Sequence, residues 1–471
     1  MDTKKLRQKI LDLAIHGKLV PQDPNDEPAS VLLERIRAEK EQLIKEGKIK
    51  APKKSNAAGD TSHYGKEGPW ALPEGWVWCR FPEIADLISG QDFPPEKYNS
   101  TAKGTPYIIG ASNFEDGYLR ISRWTESPSV LSRKGDVLVV CKGAGVGKMA
   151  VNDLGTVHIA RQVQAVRIQN EIVSSDFMRI LIDWCIPSIV SQANGLIPGL
   201  KRELLLNLIL PIPPRCEQDR IVSTLSCALA ILKRFEEEQT ELERDIRKLR
   251  ERILDLAIHG KLVPQDPSDE PAIELLKRIN PDFVPSHNLH YRAELPSGWQ
   301  LCHIQDIANT ELGKTLDKAK NKGEEQPYLC ALNVKWESFD LSTIKRIRIE
   351  EKEKSRYRLQ PCDLLVCEGG DVGRCAIWQE DYEMYYQNAI HRVRFKQGFS
   401  PDFYLYVLRY YKSLGIIDDI CKGVTIKHFT GQVFNSLDLP VPPLNEQKRI
   451  VCKVKSLFEI LDSITDKMEA S

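Results

Sequence analysis

The loop KGAGVGK at residues 142–148 has the glycine-rich composition of a phosphate-binding turn. It departs from the Walker pattern because three residues, not four, separate its first glycine from the glycine-lysine pair. Met149 also stands where a Ser or Thr would hold magnesium, and the matching loop EGGDVGR at 368–374 has no lysine. We therefore expect a tight turn between the strands DVLVVC and MAV, with glycines at positive φ, and no nucleotide site.

Two further patterns could carry chemistry. NPDF at 280–283 resembles the N/D-P-P-Y/F motif of adenine methyltransferases, but Asp282 replaces the second proline and no F-x-G-x-G strand accompanies it. Cys362, Cys367 and Cys375 form a loose cluster among twelve cysteines that include no C-x-x-C pair. Scattered thiols of this kind fit small apolar packing roles in a reducing compartment better than zinc or disulfides. We predict no catalytic, cofactor or metal site.

The composition is that of a soluble globular protein. With 66 basic and 66 acidic residues and 42% hydrophobic residues, overall charge points to no polyanionic partner, so any such binding must come from local patches. A length of 471 residues favours two or more domains. The N-terminal MDTKKLRQKILDL lacks a continuous apolar run, and we therefore expect no signal peptide or membrane anchor and a cytoplasmic location.

The chain contains two copies of one plan. LRQKILDLAIHGKLVPQDPNDEPA at 6–29 recurs at 249–272 with three differences. A second, more divergent pair of segments begins at LPEGW (72–76) and LPSGW (295–299), and each ends in a PxPP-x-x-EQ motif. A close repeat of this length indicates duplicated architecture.

Hydrophobic residues from Ile221 to Leu256, Leu242 and Leu249 among them, follow alternating steps of four and three, which predicts one long helix over about 217–259 with a coiled-coil seam. Residues 446–471 begin the same pattern, and residues 3–16 supply its remainder. We expect these two helices to pack antiparallel, so that the chain ends meet inside the second helix.

This organisation resembles the specificity subunits of type I restriction-modification systems, over essentially the whole chain. The likeness is carried by two divergent domains closed by PxPP-x-x-EQ, by the central and terminal helices, and by the repeated LAIHGKLVPQDP. It implies a non-catalytic subunit in which each target-recognition domain reads one half of a bipartite, asymmetric DNA site. It also implies that the helices set the gap, that two adenine methyltransferase subunits dock, and that motor-endonuclease subunits complete the enzyme. A coiled-coil adaptor that binds two like proteins without reading DNA is the alternative.

The predicted fold class is α+β, with two pseudo-two-fold-related globular target-recognition domains joined by two long antiparallel helices as a coiled-coil spacer, in a circularly permuted repeat. The boundaries, each read from the sequence, are 1–24 (N-terminal half of the distal helix and docking element), 25–71 (flexible linker), 72–214 (first recognition domain), 215–272 (central helix and docking element), 273–294 (linker), 295–443 (second recognition domain) and 444–471 (C-terminal half of the distal helix).

Under this resemblance, basic and amide side chains beside the predicted turns are the candidates for DNA contact. The alternative for each is a solvated surface charge. Phosphate contact is expected from Lys142, Lys148 and Arg374, and base readout from Arg161 and Gln162, which occupy roughly the place of Gln387 and Asn388, and from Lys201, Arg202, Lys427 and His428 before the last helix of each domain.

The repeated KLVPQDP segments are the candidates for partner docking, because identical surfaces suit identical partners. A recent duplication would leave the same identity. The predicted docking residues are Leu19, Val20 and Asp23, with their counterparts Leu262, Val263 and Asp266. His16 and His259 precede helix-ending glycines, where we expect a capping role.

Overall fold

The computed structural model describes residues 2–46, 68–143, 145–169, 172–191, 199–286, 291, 294–317, 319, 321–421 and 429–470. The chain divides into two compact units, a first unit of residues 2–238 and a second unit that begins at residue 239. The division falls inside the long central helix, and each unit has a hydrophobic core of its own. None of the helices in the described ranges is both long enough and apolar enough to cross a membrane.

The first unit combines helices with short strands, in the mixed composition that the sequence predicts. Two 3-10 turns, Pro95–Lys97 and Ala111–Asn113, lie between its strands. Its elements are α1 (Thr3–Ile15), α2 (Ala29–Lys45), β1 (Val77–Arg80), α3 (Phe81–Ile84), β2 (Ala85–Ser89), β3 (Thr105–Ile108), β4 (Phe114–Glu115), β5 (Tyr118–Leu119), β6 (Trp124–Thr125), β7 (Leu131–Ser132), β8 (Val137–Val140), β9 (Met149–Val151), β10 (Val157–Ile159), β11 (Val163–Ile168), α4 (Ser175–Ser191), α5 (Arg202–Leu206), β12 (Ile209–Ile212) and the first part of α6 (Arg215–Ile258).

The second unit repeats this succession with its own variations. After the remainder of α6, its elements are α7 (Ala272–Ile279), β13 (Gln300–His303), α8 (Ile304–Ile307), β14 (Ala308–Leu312), β15 (Glu324–Leu329), β16 (Lys345–Ile349), α9 (Glu351–Tyr357), β17 (Leu364–Cys367), β18 (Cys375–Ile377), β19 (Tyr385–Tyr386), β20 (Ile390–Phe395), α10 (Pro401–Ser413), α11 (Ile416–Ile420), α12 (Gly431–Asn435), β21 (Asp438–Val441) and α13 (Leu444–Ala470).

A four-stranded antiparallel sheet forms the centre of each unit. Its strand order is β2-β11-β8-β9 in the first unit and β14-β20-β17-β18 in the second. The predicted strands DVLVVC, MAV, QAVRI and HRVRF fall on β8, β9, β11 and β20. Every residue of β8 and β17 is buried, because apolar side chains cover both faces of these strands.

The long helices form where the four-three spacing predicts them. α6 has 44 residues and α13 has 27. Along the predicted seam, Ile221, Leu225 and Ile246 are buried, whereas Leu242 and Leu249 are 41% and 51% exposed. The apolar spacing therefore coincides with one continuous helix, but its side chains are buried only in part. The predicted junction of the chain ends involves positions 1 and 471, which lie outside the described residues.

Two ion pairs show how α13 runs relative to the second half of α6 in the second unit. Arg449, near the start of α13, pairs with Asp269 at 2.6 Å, beyond the end of α6. Asp462, further along α13, pairs with Arg250 within α6. α13 therefore runs back along α6, antiparallel as predicted. An equivalent pair of the same length ties the start of α6 to the segment after α1 in the first unit.

The repeated LAIHGK and LPxGW motifs pack on each other. Gly17 has φ +65°, and a Cβ there would lie 2.4 Å from Cγ of Pro73 and 3.1 Å from the Trp76 ring. Gly260, with φ +63°, stands in the same relation to Pro296 at 2.6 Å. Only glycine meets both the left-handed backbone and the close approach. This mutual packing gives a structural reason for the likeness of the two copies.

The glutamine of each PxPP-x-x-EQ motif lies at the start of a long helix and bonds to the recognition domain before it. The buried amide of Gln218 accepts the N–H of Ser174 at 2.9 Å and donates to the carbonyl of Ile172 at 2.6 Å. Gln447 likewise accepts the N–H of Ser400 at 3.3 Å and donates to a proline carbonyl at 2.9 Å. Each glutamine fixes the start of a long helix to the domain that precedes it, because a buried amide requires its partners.

Candidate nucleic-acid interface

The glycine-rich loop of the first unit is the tight turn that the sequence predicts. β8 and β9 pair antiparallel up to Val139 and Met149, and the N–H of Gly147 donates to the carbonyl of Val140 at 2.9 Å. Gly147 has φ +91°, and a Cβ there would lie 3.1 Å from Ile186 on α4. Lys142 at one side of the turn is exposed, as is Lys148 at the other, and neither side chain has a hydrogen bond or ion pair among the described residues.

A second turn lies directly beside the first. The N–H of Cys141 donates to the carbonyl of Gln162 at 2.7 Å, which joins the two turns. Arg161 is exposed, and its guanidinium pairs with Asp92 at 3.2 Å, while its N–H donates to the same carboxylate at 2.8 Å. The Gln162 side chain lies over Gly110, where a Cβ would come within 2.4 Å of its Oε1. Gly110 therefore leaves room for this amide at the surface.

The segment that leads to α5 completes the group. Gly199 forms a β-bridge with Lys142, and the N–H of Leu200 donates to the carbonyl of Cys141 at 2.9 Å. Lys201 is exposed, and the guanidinium of Arg202 donates to the Ser89 hydroxyl at 3.1 Å. The structure thus brings all six candidates of the first unit to one edge, which we call the basic edge: Lys142, Lys148, Arg161, Gln162, Lys201 and Arg202.

The charge of the basic edge is largely uncompensated. Within the described ranges, Asp92 is the acidic side chain that pairs with a member of the group. A cluster of cations without acidic partners attracts phosphate, and exposed arginine and glutamine side chains suit base edges.

The second unit repeats the two turns with different side chains. Gln387 and Asn388 lie in its second turn and are half-buried. The turn bonds run from Val163 to Ala160 and from Ile390 to Gln387, so Gln387 matches Ala160 and Asn388 matches Arg161. The rough equivalence of Arg161 and Gln162 with Gln387 and Asn388 therefore carries an offset of one residue. Lys427 and His428 lie outside the described residues.

Arg374 has an internal role in the second unit. Its guanidinium donates to the carbonyl of Ala331 at 2.7 Å and lies 3.9 Å from Asp371, and its side chain is 19% exposed. These contacts direct the guanidinium to the backbone of its own unit. The geometry therefore does not support phosphate contact by Arg374, unlike by the exposed Lys142 and Lys148.

The predicted docking residues divide into two kinds. The four apolar ones are half-buried and pack against the core of their own unit: Leu19, Val20, Leu262 and Val263. Asp23 is exposed and accepts the N–H of Asn25 at 2.9 Å, a bond that lowers the pKa of its carboxyl. Asp266 is exposed in the same way and accepts from Ser268, which lowers its pKa. The two aspartates are thus the members that a partner could reach.

The repeated segment of the second unit lines an open cleft of about 1030 Å³. His259 borders this cleft, and its Nδ1 donates to the carbonyl of Asp255 at 2.8 Å. His16 forms the same bond to Asp12 at 2.7 Å. Both histidines therefore close the last turn of a helix, in agreement with the expected capping role.

Two acidic residues beside these turns, Asp92 in the first unit and Glu368 in the second, are not among the candidates that the sequence predicts. Asp92 holds Arg161 across 69 positions of the chain, a contact that local patterns do not predict. Two glycines in the sequence indicate where the second turn of each unit approaches. A Cβ at Gly90 would clash with Ala160, and a Cβ at Gly313 would clash with Gln387. A glycine after the equivalent strands β2 and β14 therefore marks the close approach of the second turn.

Comparison with known proteins finds relatives of one kind. A family model described as the type I restriction modification DNA specificity domain matches residues 296–470. The type I restriction enzyme EcoEI specificity subunit of Escherichia coli is 25% identical, over 99% of this chain and 91% of that one. Nearly the whole chain is thus similar to the specificity subunits of type I restriction-modification systems. The EcoAI specificity subunit of Escherichia coli is 29% identical, over 65% of this chain and 62% of its own.

Solved structures share the fold of this chain. A chain from a type I R-M system matches with a TM-score of 0.62 and 17% identity, over 85% of this chain and 95% of that one. The HsdS subunit from Thermoanaerobacter tengcongensis matches with a TM-score of 0.50 and 17% identity, over 85% and 93%. The expected α+β fold with a long helical spacer is confirmed by these likenesses.

Proposed function

We propose that this specificity subunit reads a bipartite, asymmetric DNA site, with one half-site assigned to each recognition domain (72–214 and 295–443). The observation that carries the proposal is the basic edge of the first unit, where cations and an exposed amide converge from separate segments. Lys142 and Lys148 contact phosphates, and Arg161, Gln162, Lys201 and Arg202 face the bases and the adjoining backbone. Gln387 and Asn388, together with Lys427 and His428, serve the second half-site.

The two domains read unlike sequences because their backbones form equivalent turns while the side chains on those turns differ. Equivalent turns are held by equivalent backbone bonds, while Arg161 stands where the second unit has Asn388. Since base identity is read by local side chains, unlike side chains on like turns give unlike half-sites. α6, with 44 residues, spans about 66 Å at 1.5 Å per residue and sets the gap between them.

We infer that two adenine methyltransferase subunits dock on the two repeated segments, with motor-endonuclease subunits completing a cytoplasmic restriction enzyme. Two copies of one surface suit two copies of one partner, and Asp23 and Asp266 are exposed in matching turns. The packing of the repeated motifs on each other also requires the two copies to stay alike. The same segments would therefore be constrained both by the fold and by partner docking.

The assignment of one half-site to each domain is tested by domain exchange. Residues 77–212 are replaced by the corresponding segment of another specificity subunit, which preserves Trp76 and Gln218 at the junction. In complex with the methyltransferase, the hybrid should methylate a site with one new half, one unchanged half and the original gap. A change in both halves would contradict the assignment, and an unchanged site would show that the exchanged residues do not read DNA.

A further inference from the structure

Glu368 occupies a structural position at which the first unit has a buried thiol. The N–H of Glu368 donates to the carbonyl of Ala389 at 2.9 Å, as that of Cys141 donates to Gln162. The carbonyl of Glu368 accepts the N–H of Phe429, as that of Cys141 accepts the N–H of Leu200. The two residues therefore begin equivalent turns, yet Cys141 is 1% exposed and Glu368 carries a half-buried carboxylate.

The Glu368 carboxylate has no hydrogen bond or ion pair among the described residues. Its electrostatic neighbour is His391, a ring that is 2% exposed and whose pKa is lowered by burial. The Nε2–H of His391 donates to the carbonyl of Phe429 at 2.8 Å. Because the buried ring is neutral, its Nδ1 carries a lone pair and offers no proton to Glu368. Among the described residues, the carboxylate thus lacks a hydrogen-bond donor.

A carboxylate without a partner at this position disfavours contact with DNA phosphates and favours contact with hydrogen-bond donors on the bases. It repels phosphate, so Glu368 cannot serve the backbone contacts that Lys142 can serve in the first unit. An ionised carboxylate only accepts hydrogen bonds. In the major groove the base-edge donors are the exocyclic amino groups of cytosine and adenine.

We propose that Glu368 is a specificity-determining residue of the second recognition domain, which accepts a hydrogen bond from the exocyclic amino group of a cytosine or adenine. The inference rests on the proposed division of the DNA site between the two domains. Gln387 and Asn388, in the turn joined to Glu368 through Ala389, place amides beside it. The second edge therefore combines an acceptor with two amides, where the first edge has mainly cations.

Glu368→Gln tests the charge and Glu368→Ala removes the acceptor. Each variant subunit is assembled with its methyltransferase and offered a DNA library in which the second half-site is randomised and the first is fixed. Sequencing of the methylated molecules gives the base preference at each position. Glu380→Gln is the matched control, because Glu380 is an exposed acid of the same unit beyond the far end of the β17–β18 hairpin.

We expect Glu368→Ala to lose about tenfold in preference for cytosine or adenine at one base pair of the second half-site. Glu368→Gln, which keeps an oxygen acceptor without the charge, should lose less. The other positions and the response to the first half-site should not change, and Glu380→Gln should match the wild type. Unchanged preference at every position, with or without a general loss of rate, would overturn the proposal. A wild-type complex that shows no chain-dependent half-site at all would instead refute the proposed function itself.

Discussion

The indole Nε1 of Trp76 donates a hydrogen bond to the buried carboxylate of Glu217 at 3.0 Å. Trp76 lies just before β1 and Glu217 lies in the first turn of α6, so the bond joins the beginning of the first recognition domain to the helix that follows it. Trp299 and Glu446 form the same bond at 3.0 Å in the second unit. This contact explains why LPxGW and EQ occur together in both copies.

Trp76→Phe should destabilise the first unit by about 1–3 kcal/mol, because a buried acceptor loses its donor while the apolar packing is largely kept. The free energy of unfolding is measured by urea denaturation of the full chain. Glu241→Ala, at an exposed position of α6, is the control and should change stability little. Equal stability of Trp76→Phe and the wild type would show that the bond contributes nothing.

The pH dependence of stability should reveal the buried carboxylate. Burial is the main cause that raises the pKa of Glu217 above its usual 4.5, and the bond from Trp76 opposes the shift. A raised pKa in the folded state means that the stability linked to the protonated carboxyl is full below pH 4.5 and is lost as pH rises through the folded value.

Glu217→Gln removes this titration and keeps an oxygen acceptor for Trp76. The stability of the variant relative to the wild type should therefore increase as pH rises from about 4 to 7. Urea denaturation at several pH values measures the difference. A difference that is constant over this range, or that falls with pH, would contradict the raised pKa.

The lysines of the basic edge should contribute affinity without sequence preference. Lys142→Ala and Lys148→Ala should each reduce DNA binding by the assembled complex and make the plot of log affinity against log salt shallower by about 1. The base preference of the first half-site should stay unchanged. Lys134→Ala, an exposed lysine of the same unit beyond the other end of β8, is the control. If Lys142→Ala and Lys148→Ala leave the salt dependence of binding unchanged, these lysines do not contact DNA phosphates.

The two exposed aspartates should each serve one docked methyltransferase. Asp23→Asn and Asp266→Asn remove the charge and keep an oxygen that can cap the turn. Each single variant should retain one methyltransferase subunit and the double variant should bind neither firmly, as measured by native mass spectrometry. Asp153→Asn, an exposed acid of the first unit, is the control. Two subunits bound to the double variant would exclude these carboxylates from the interface.

Periodic and repeated features of the fold are predictable from the sequence, whereas most of the edge is not. The spacing from Ile221 to Leu256 predicts α6 to within a few residues, because helical periodicity is local. The pairing of Asp92 with Arg161 depends on tertiary contact and leaves no local pattern. The internal use of Arg374 is equally hidden, because the carbonyl that accepts its hydrogen bond lies 43 residues away.

A genome-wide map of methylated adenines will show whether this chain determines which DNA sequence is modified. Cells that express the partner methyltransferase are compared with and without the chain. A two-part motif with a fixed gap should be methylated only when the chain is present. The same pattern of methylation in both cells, with an active methyltransferase shown in each, would contradict it.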